Sequence, residues 1–144
     1  IEGYREAIQI AASYGVQLLF ETHDDFSTSS SLLPLLEGVE GEAGVIWDIL
    51  HPYRFGESME YTCQTLLPYI RHVHIKDSAD YSKSGFDIVL PGEGTVPVRQ
   101  AVSLLKNAGY NQYLCFEWEK HWHPEIQDAD TALPHFMEYM KGIL

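Results

Sequence analysis

Short apolar runs alternate with longer stretches of helical periodicity along the chain, and their order predicts α-β-α-β-α-β-α-β-α. Tyr4, Ile8, Ile10 and Ala11 fall near helical spacing over Gly3–Tyr14, and Gly15 stands where a helix C-cap would. Val16–Glu21 predicts a first strand, and Ser27–Ser31 offers several N-caps for a helix over Leu32–Gly38. Val45–Asp48 predicts a second strand. The HPYRFGES segment after it, with Pro52 and Gly56, reads as a loop. A helix over about Ser58–Leu67 stops before Pro68, and His72–Lys76 is the third strand. Asp77–Val96 reads as a long polar loop carrying Gly85, Pro91, Gly92 and Gly94. A helix from about Val98 to Asn107 ends at Gly109, Asn111–Glu119 is the fourth strand, and roughly Asp128–Leu144 the last helix. Regular strand–helix alternation without a hairpin signal predicts a parallel sheet covered by helices.

Composition narrows the classes this chain can belong to. Its 144 residues, 45% hydrophobic, suffice for one domain with a core. Acidic residues outnumber basic ones 21 to 9, a formal net charge of −12, which argues against a nucleic acid partner, whose phosphates want Lys and Arg. Cys63 and Cys115 stand in no CxxC or zinc-finger spacing, so a reduced, cytoplasmic setting is expected. No apolar run approaches a membrane span. The sequence opens on Ile1 and enters a helical pattern almost at once, which suggests a piece of a longer protein.

Four apolar runs end in residues that favour divalent metal: VQLLFE at Glu21, AGVIWD at Asp48, IRHVHIKD around His74, and YLCFEWE around Glu117. Glu21, Asp48 and His74 are spaced 27 and 26 residues apart, each about one βα unit. Strand alternation puts Phe116 and Trp118 on one face and Cys115, Glu117 and Glu119 on the other. By the same rule Val73 and Ile75 point toward the helices, while His72, His74 and Lys76 point inward. Buried carboxylates without partners would each cost several kcal/mol, and one shared cation removes that difficulty. Alternation alone leaves His72 against His74, and Glu117 against Glu119, undecided. The Gly92-Glu93-Gly94 turn resembles a phosphate cradle only loosely; without Lys/Thr or helix-start spacing it reads as a tight turn.

Taken in order, ETHDDF, WDILHPY, HVHIKD, PGEGTV and FEWEKHWHPE resemble the C-terminal half of the xylose-isomerase-like TIM barrels, the superfamily of sugar (phosphate) isomerases and epimerases. The resemblance runs from Gly15 to the end of the chain. It implies one domain over residues 1–144, carrying the last four strands of a (β/α)₈ barrel, with an upstream half missing. Carried over position by position, it implies one divalent ion (Mn²⁺, Mg²⁺, Co²⁺ or Zn²⁺) held by Glu21, Asp48, His74 and Glu117. It makes Glu21 and Glu117 the paired acid/base groups and sets His51, in the D-x-x-H pattern after Asp48, against substrate oxygens. Lys76, Glu119 and His121 join His51 as expected substrate contacts. The endonuclease branch of the superfamily has an Asp-x-His where this chain reads Asp87, Ile88, Val89, so a three-zinc site and DNA repair are not expected.

Three carboxylates and one imidazole suit a hard or borderline cation. Such an ion polarises a sugar carbonyl and stabilises the enediolate formed when a carboxylate removes the neighbouring proton. The expected activity is therefore isomerisation or epimerisation of a sugar or sugar phosphate. A polyol-ketone dehydratase sharing the same first step, and a non-catalytic carbohydrate-binding or assembly subunit, are the alternatives. Half a barrel would leave open strand edges and an exposed apolar face, so a homo-oligomer, with half-barrels paired, is also expected.

Overall fold

The computed structural model describes residues 2–39 and 43–144, and at its centre is a parallel sheet of four strands in the order β1-β2-β3-β6. These are β1 (Leu19–Glu21), β2 (Gly44–Asp48), β3 (Ile70–Ile75) and β6 (Leu114–Phe116). Around them run α1 (Glu2–Ser13), α2 (Ser29–Gly38), α3 (Leu50–Arg54), α4 (Met59–Leu66), α5 (Val98–Asn107) and α6 (Ala129–Lys141). Each new strand lies beside its predecessor, as in half of a βα barrel, and the expected α/β class is what the chain forms. No helix among the described residues is long and apolar enough to cross a membrane.

The helix-facing side of the sheet is the core. Val45, Trp47, Val73 and Ile75 are fully buried there against Leu32 and Leu36 of α2, Leu66 of α4, and Ala101 and Leu105 of α5. Phe116 continues this face and stacks on Phe136 of α6, ring centroids 4.5 Å apart. Period-2 alternation then sends Glu21, Ile46, Asp48, His72, His74 and Cys115 to the opposite side. Helix ends follow local chemistry. Gly15 (φ 70°) and Gly109 (φ 75°) take the left-handed conformation that closes α1 and α5. Thr28 caps α2 by accepting from Ser31 N, while the Glu57 carboxylate accepts from Ser29 N and Ser30 N at the same helix start.

Three segments differ from the expectation. The segment after β3 is not a plain polar loop: β4 (Asp77–Ser82) and β5 (Gly85–Val89) pair antiparallel. Its turn, Lys83-Ser84, lacks the Asn-Gly signature that marks a hairpin in sequence. The HPYR segment is the short helix α3, because Pro52 falls in its first turn, where a missing N–H costs nothing. β1 and β6 are shorter than the apolar runs that announce them: β1 begins opposite the first residue of β2, and β6 ends opposite the last residue of β3.

The Gly92–Gly94 turn is tied from within. The buried Asp77 carboxylate accepts from Ser78 N (2.8 Å), Gly92 N (2.8 Å), Gly94 N (3.0 Å) and Val96 N (3.1 Å). Glu93 N and Thr95 N bond to the carbonyls of Leu90 and Ser78. A Cβ on Gly94 would lie 2.2 Å from Asp77 Oδ1 and 2.5 Å from Ser78 O, so only glycine fits. Asp77→Ala strands these four amides, and we expect a loss of about 3 kcal/mol or more, read as a lower urea midpoint with unchanged slope. A midpoint equal to wild type would mean that water replaces the carboxylate at no cost.

Candidate metal centre

Four strand tips converge on the side of the sheet away from the helices. Glu21 ends β1, Asp48 ends β2, His74 is next to last in β3 and Glu117 follows β6 directly. Glu117 N still donates to Ile75 O, so the ladder geometry carries past the strand end. One donor atom from each of the four lies within 4.8 Å of the others. The register brings this about: Asp48 sits beside His74, and His74 beside Cys115.

Asp48 is the most firmly held. Thr22, fully buried, accepts from Asp48 N (2.9 Å) and donates to Asp48 O (3.0 Å) through its hydroxyl. Asp48 Oδ1 accepts from Leu50 N at 2.8 Å, which starts α3 and leaves Oδ2 turned to the centre. His74 Nδ1 lies 2.8 Å from Glu21 Oε1 and 3.2 Å from Glu117 Oε2. Lys76, with no exposed side chain, reaches Asp48 Oδ2 (2.9 Å), Glu117 Oε2 (2.8 Å) and Glu119 Oε1 (2.5 Å) with its ammonium.

Charge in so dry a place shifts protonation strongly. Burial lifts the Asp48 carboxyl to about 7, with Lys76 pulling it back and Glu117 reinforcing the rise. For Glu117 burial also pushes upward, but the His74 bond and the Lys76 charge outweigh it and hold the carboxyl well below its usual range. Burial lowers His74, yet its bonds to Glu117 and Glu21 prevail and raise it to about 10. Burial opposes the charge on Lys76 too, and Asp48 and Glu117 overcome it to hold the ammonium above its ordinary value. Burial, then the Lys76 charge, lowers His51 to about 3 and keeps its ring neutral at pH 7.

The residues present fit a divalent cation. Among the described residues, Asp48 Oδ2, Glu117 Oε2 and His51 Nε2 are buried without an aligned hydrogen-bond partner. Lys76 touches the first two oxygens by charge and proximity only; its one directed bond goes to Glu119. Orphaned carboxylate oxygens in a cluster of three carboxylates and one imidazole are the donor set of a hard or borderline divalent ion.

The other expected site residues fall in different places. His51 is buried, with Nε2 3.6 Å from Asp48 Oδ2. Lys76 and Glu119 join the cluster as a pair. His121 lies exposed on the loop after β6, its ring against Trp122, and has no described contact with the cluster. His72 packs edge-on against His74, 5.2 Å between ring centroids, and forms with His74 and Cys115 a second group of close donor atoms. Sequence reasoning missed Thr22, Arg54 and Phe86. Arg54 Nε donates to His51 Nδ1 at 3.1 Å, and the Phe86 ring packs near His51 (5.6 Å), Arg54 (5.3 Å) and the Lys76 ammonium (5.6 Å). Arg54 stands three residues after His51, a same-face helical spacing that could have drawn attention to it.

Comparison with known proteins agrees with this geometry at the level of fold. The sequence model of one family, described as xylose isomerase-like TIM barrel, matches residues 1–141. Inosose dehydratase of Yersinia enterocolitica is 28% identical over 157 residues, covering 96% of this chain and 50% of the relative. Three solved structures superpose over nearly the whole chain and about half of their own. The probable 3-DHS dehydratase AsbF of Bacillus anthracis has a TM-score of 0.82 at 22% identity, covering 97% and 54%. A D-allulose 3-epimerase of Methylomonas sp. has 0.80 at 19%, covering 98% and 53%. The IOLI protein, with a binding zinc atom, has 0.77 at 22%, covering 97% and 53%. The chain thus spans about half the length of the relatives it matches.

Loading with Mn²⁺ or Zn²⁺ followed by desalting should leave about one ion per chain and none in Glu117→Gln. Thr22→Val removes both bonds to the Asp48 backbone, and we expect metal affinity to fall about 10–100-fold, as for other outer-shell partners, with Thr22→Ser close to wild type. Equal affinities in all three proteins would remove Thr22 from any part in shaping the centre.

Proposed function

The chain belongs to the xylose isomerase-like TIM barrel family, and from that premise we propose that the whole protein is a metal-dependent isomerase or epimerase of a sugar or sugar phosphate. The observation that carries the reading is the pair of carboxylates, Glu21 and Glu117, set on one imidazole nitrogen at 2.8 and 3.2 Å. Glu21, Asp48, His74 and Glu117 would hold one Mn²⁺, Mg²⁺, Co²⁺ or Zn²⁺. When bound, the ion supplies Lewis acidity at the substrate carbonyl. Glu117, kept ionised by His74 and Lys76, is in the state required of a base that removes the proton beside that carbonyl. For epimerisation Glu21, the acid on the other face, would give a proton of its own to the same carbon, leaving Glu117 protonated and Glu21 ionised. For isomerisation the proton taken by Glu117 would return to the adjacent carbon. His51 would offer Nε2 to a substrate oxygen, Lys76 and Glu119 would hold the cluster in register, and His121 would meet substrate from the exposed loop after β6.

A second reading has its own support. The Yersinia relative is named for dehydration of an inosose, and loss of water from a polyol ketone starts with the same proton removal. In either case the upstream half of the barrel would complete the substrate pocket. With an acidic surface of net charge −12, the partner we expect is a small polyhydroxylated molecule, not nucleic acid or membrane.

The decisive test uses the full-length protein, loaded with Mn²⁺, in deuterated water with a panel of ketoses and cyclic polyol ketones. Deuterium entering recovered sugar without loss of water is the expected result. A dehydrated product would favour the second reading, and no exchange with any substrate would overturn both. The 144-residue chain alone is expected to be inactive and to sediment as a dimer of half-barrels; a stable monomer would count against that pairing.

A further inference from the structure

We propose that Arg54 is a positioning residue: it locks His51 in the tautomer whose proton is on Nε2, and the β4–β5 hairpin in turn holds Arg54. The inference rests on the reading of His51 as a donor to substrate oxygen. His51 and Arg54 lie three residues apart on α3, and Arg54 Nε donates to His51 Nδ1 at 3.1 Å. A guanidinium has no acceptor and does not lose its proton in proteins, so Nδ1 must present its lone pair. The ring's one remaining proton then sits on Nε2. That atom is buried, has no hydrogen-bond partner among the described residues and faces the centre 3.6 Å from Asp48 Oδ2, beyond hydrogen-bond reach. A donor left free in a dry pocket is a donor kept for something that arrives.

Arg54 is itself fixed from outside the helix. Nη1 donates to the carbonyls of Ser82 (3.0 Å) and Lys83 (3.2 Å) at the hairpin turn, and the guanidinium lies over Phe55 (5.0 Å) and Phe86 (5.3 Å). Phe86, from the same hairpin, packs edge-to-face on the His51 ring at 5.6 Å, and His23 packs on it at 4.4 Å. Two rings and the Arg54 bond thus hold the His51 ring in this orientation. The hairpin reaches the centre by two routes, through the Arg54 fork and through the Phe86 ring.

The test reads the tautomer directly. In protein labelled with nitrogen-15 histidine, metal-free and without substrate, His51 should show an unprotonated Nδ1 and a protonated Nε2. Arg54→Met keeps the aliphatic stem and removes the donor, so part or all of the His51 signal should move to the Nδ1–H form. An unchanged tautomer in Arg54→Met would overturn the proposal. Should that variant not fold, the wild type decides: a scalar coupling between Arg54 Nε and His51 Nδ1 across the hydrogen bond supports the proposal, and a protonated Nδ1 overturns it. With an active full-length protein, Arg54→Met should lower kcat/KM, and adding it to His51→Gln should cause little further loss. Full additivity of the two losses would overturn action through His51. A shifted tautomer in a protein that never exchanges substrate protons supports the role of Arg54 and counts against the reaction proposed above.

Discussion

An ammonium taken fully out of water needs compensation on every side, and at Lys76 three carboxylates provide it. Desolvating such a charge costs several kcal/mol unless the surroundings are nearly ideal. Here Asp48 arrives from the tip of β2 and Glu117 and Glu119 from the chain leaving β6, while Lys76 itself follows β3. The ion cluster thus crosses three neighbouring strands at their C-terminal ends and keeps them in step. Burial still decides the protonation of one member: it raises the Asp48 carboxyl to about 7, against the pull of Lys76 and with Glu117 adding to the rise. The sequence suggested Lys76 as a group to steady substrate; the structure surrounds it with acid, so that it is also an internal counter-charge.

Much of this arrangement is readable from alternation. Val73 and Ile75 against His72 and His74, and Phe116 against Cys115 and Glu117, divide between core and centre as period 2 requires. Spacing did the rest, because a parallel sheet in sequential order brings residues one βα unit apart to adjacent tips. What escaped reading depended on contacts with no local signature. Nothing in ETHDDF says that Thr22 will clasp the backbone of Asp48 one strand away. Pro52 looks like a helix breaker until it is seen in a first helical turn. The hairpin of β4 and β5 has a polar turn of ordinary residues, so Phe86 could not be placed over the centre before the pairing was known.

The hairpin changes the character of the site. Phe86 puts an aromatic face beside the Lys76 ammonium and the His51 ring, and lies 6.1 Å from His123 on the loop after β6. An apolar ring beside the buried Lys76 ammonium lowers the local dielectric there and strengthens the ion pairs it makes. The polar groups come from the strands of the main sheet, and part of their apolar surroundings from the separate two-stranded hairpin.

The Asp77 turn carries a consequence for what the protein can recognise. Successive amides from Gly92 to Val96 are all engaged inside the chain, three of them by one carboxylate. This is a pocket for an oxyanion that the protein has filled with its own. A phosphoryl group approaching the turn would have to evict Asp77 and repel Glu93 beside it, so a ligand bearing one must find its counter-charge elsewhere. The glycines here serve as a latch, and the latch is already closed.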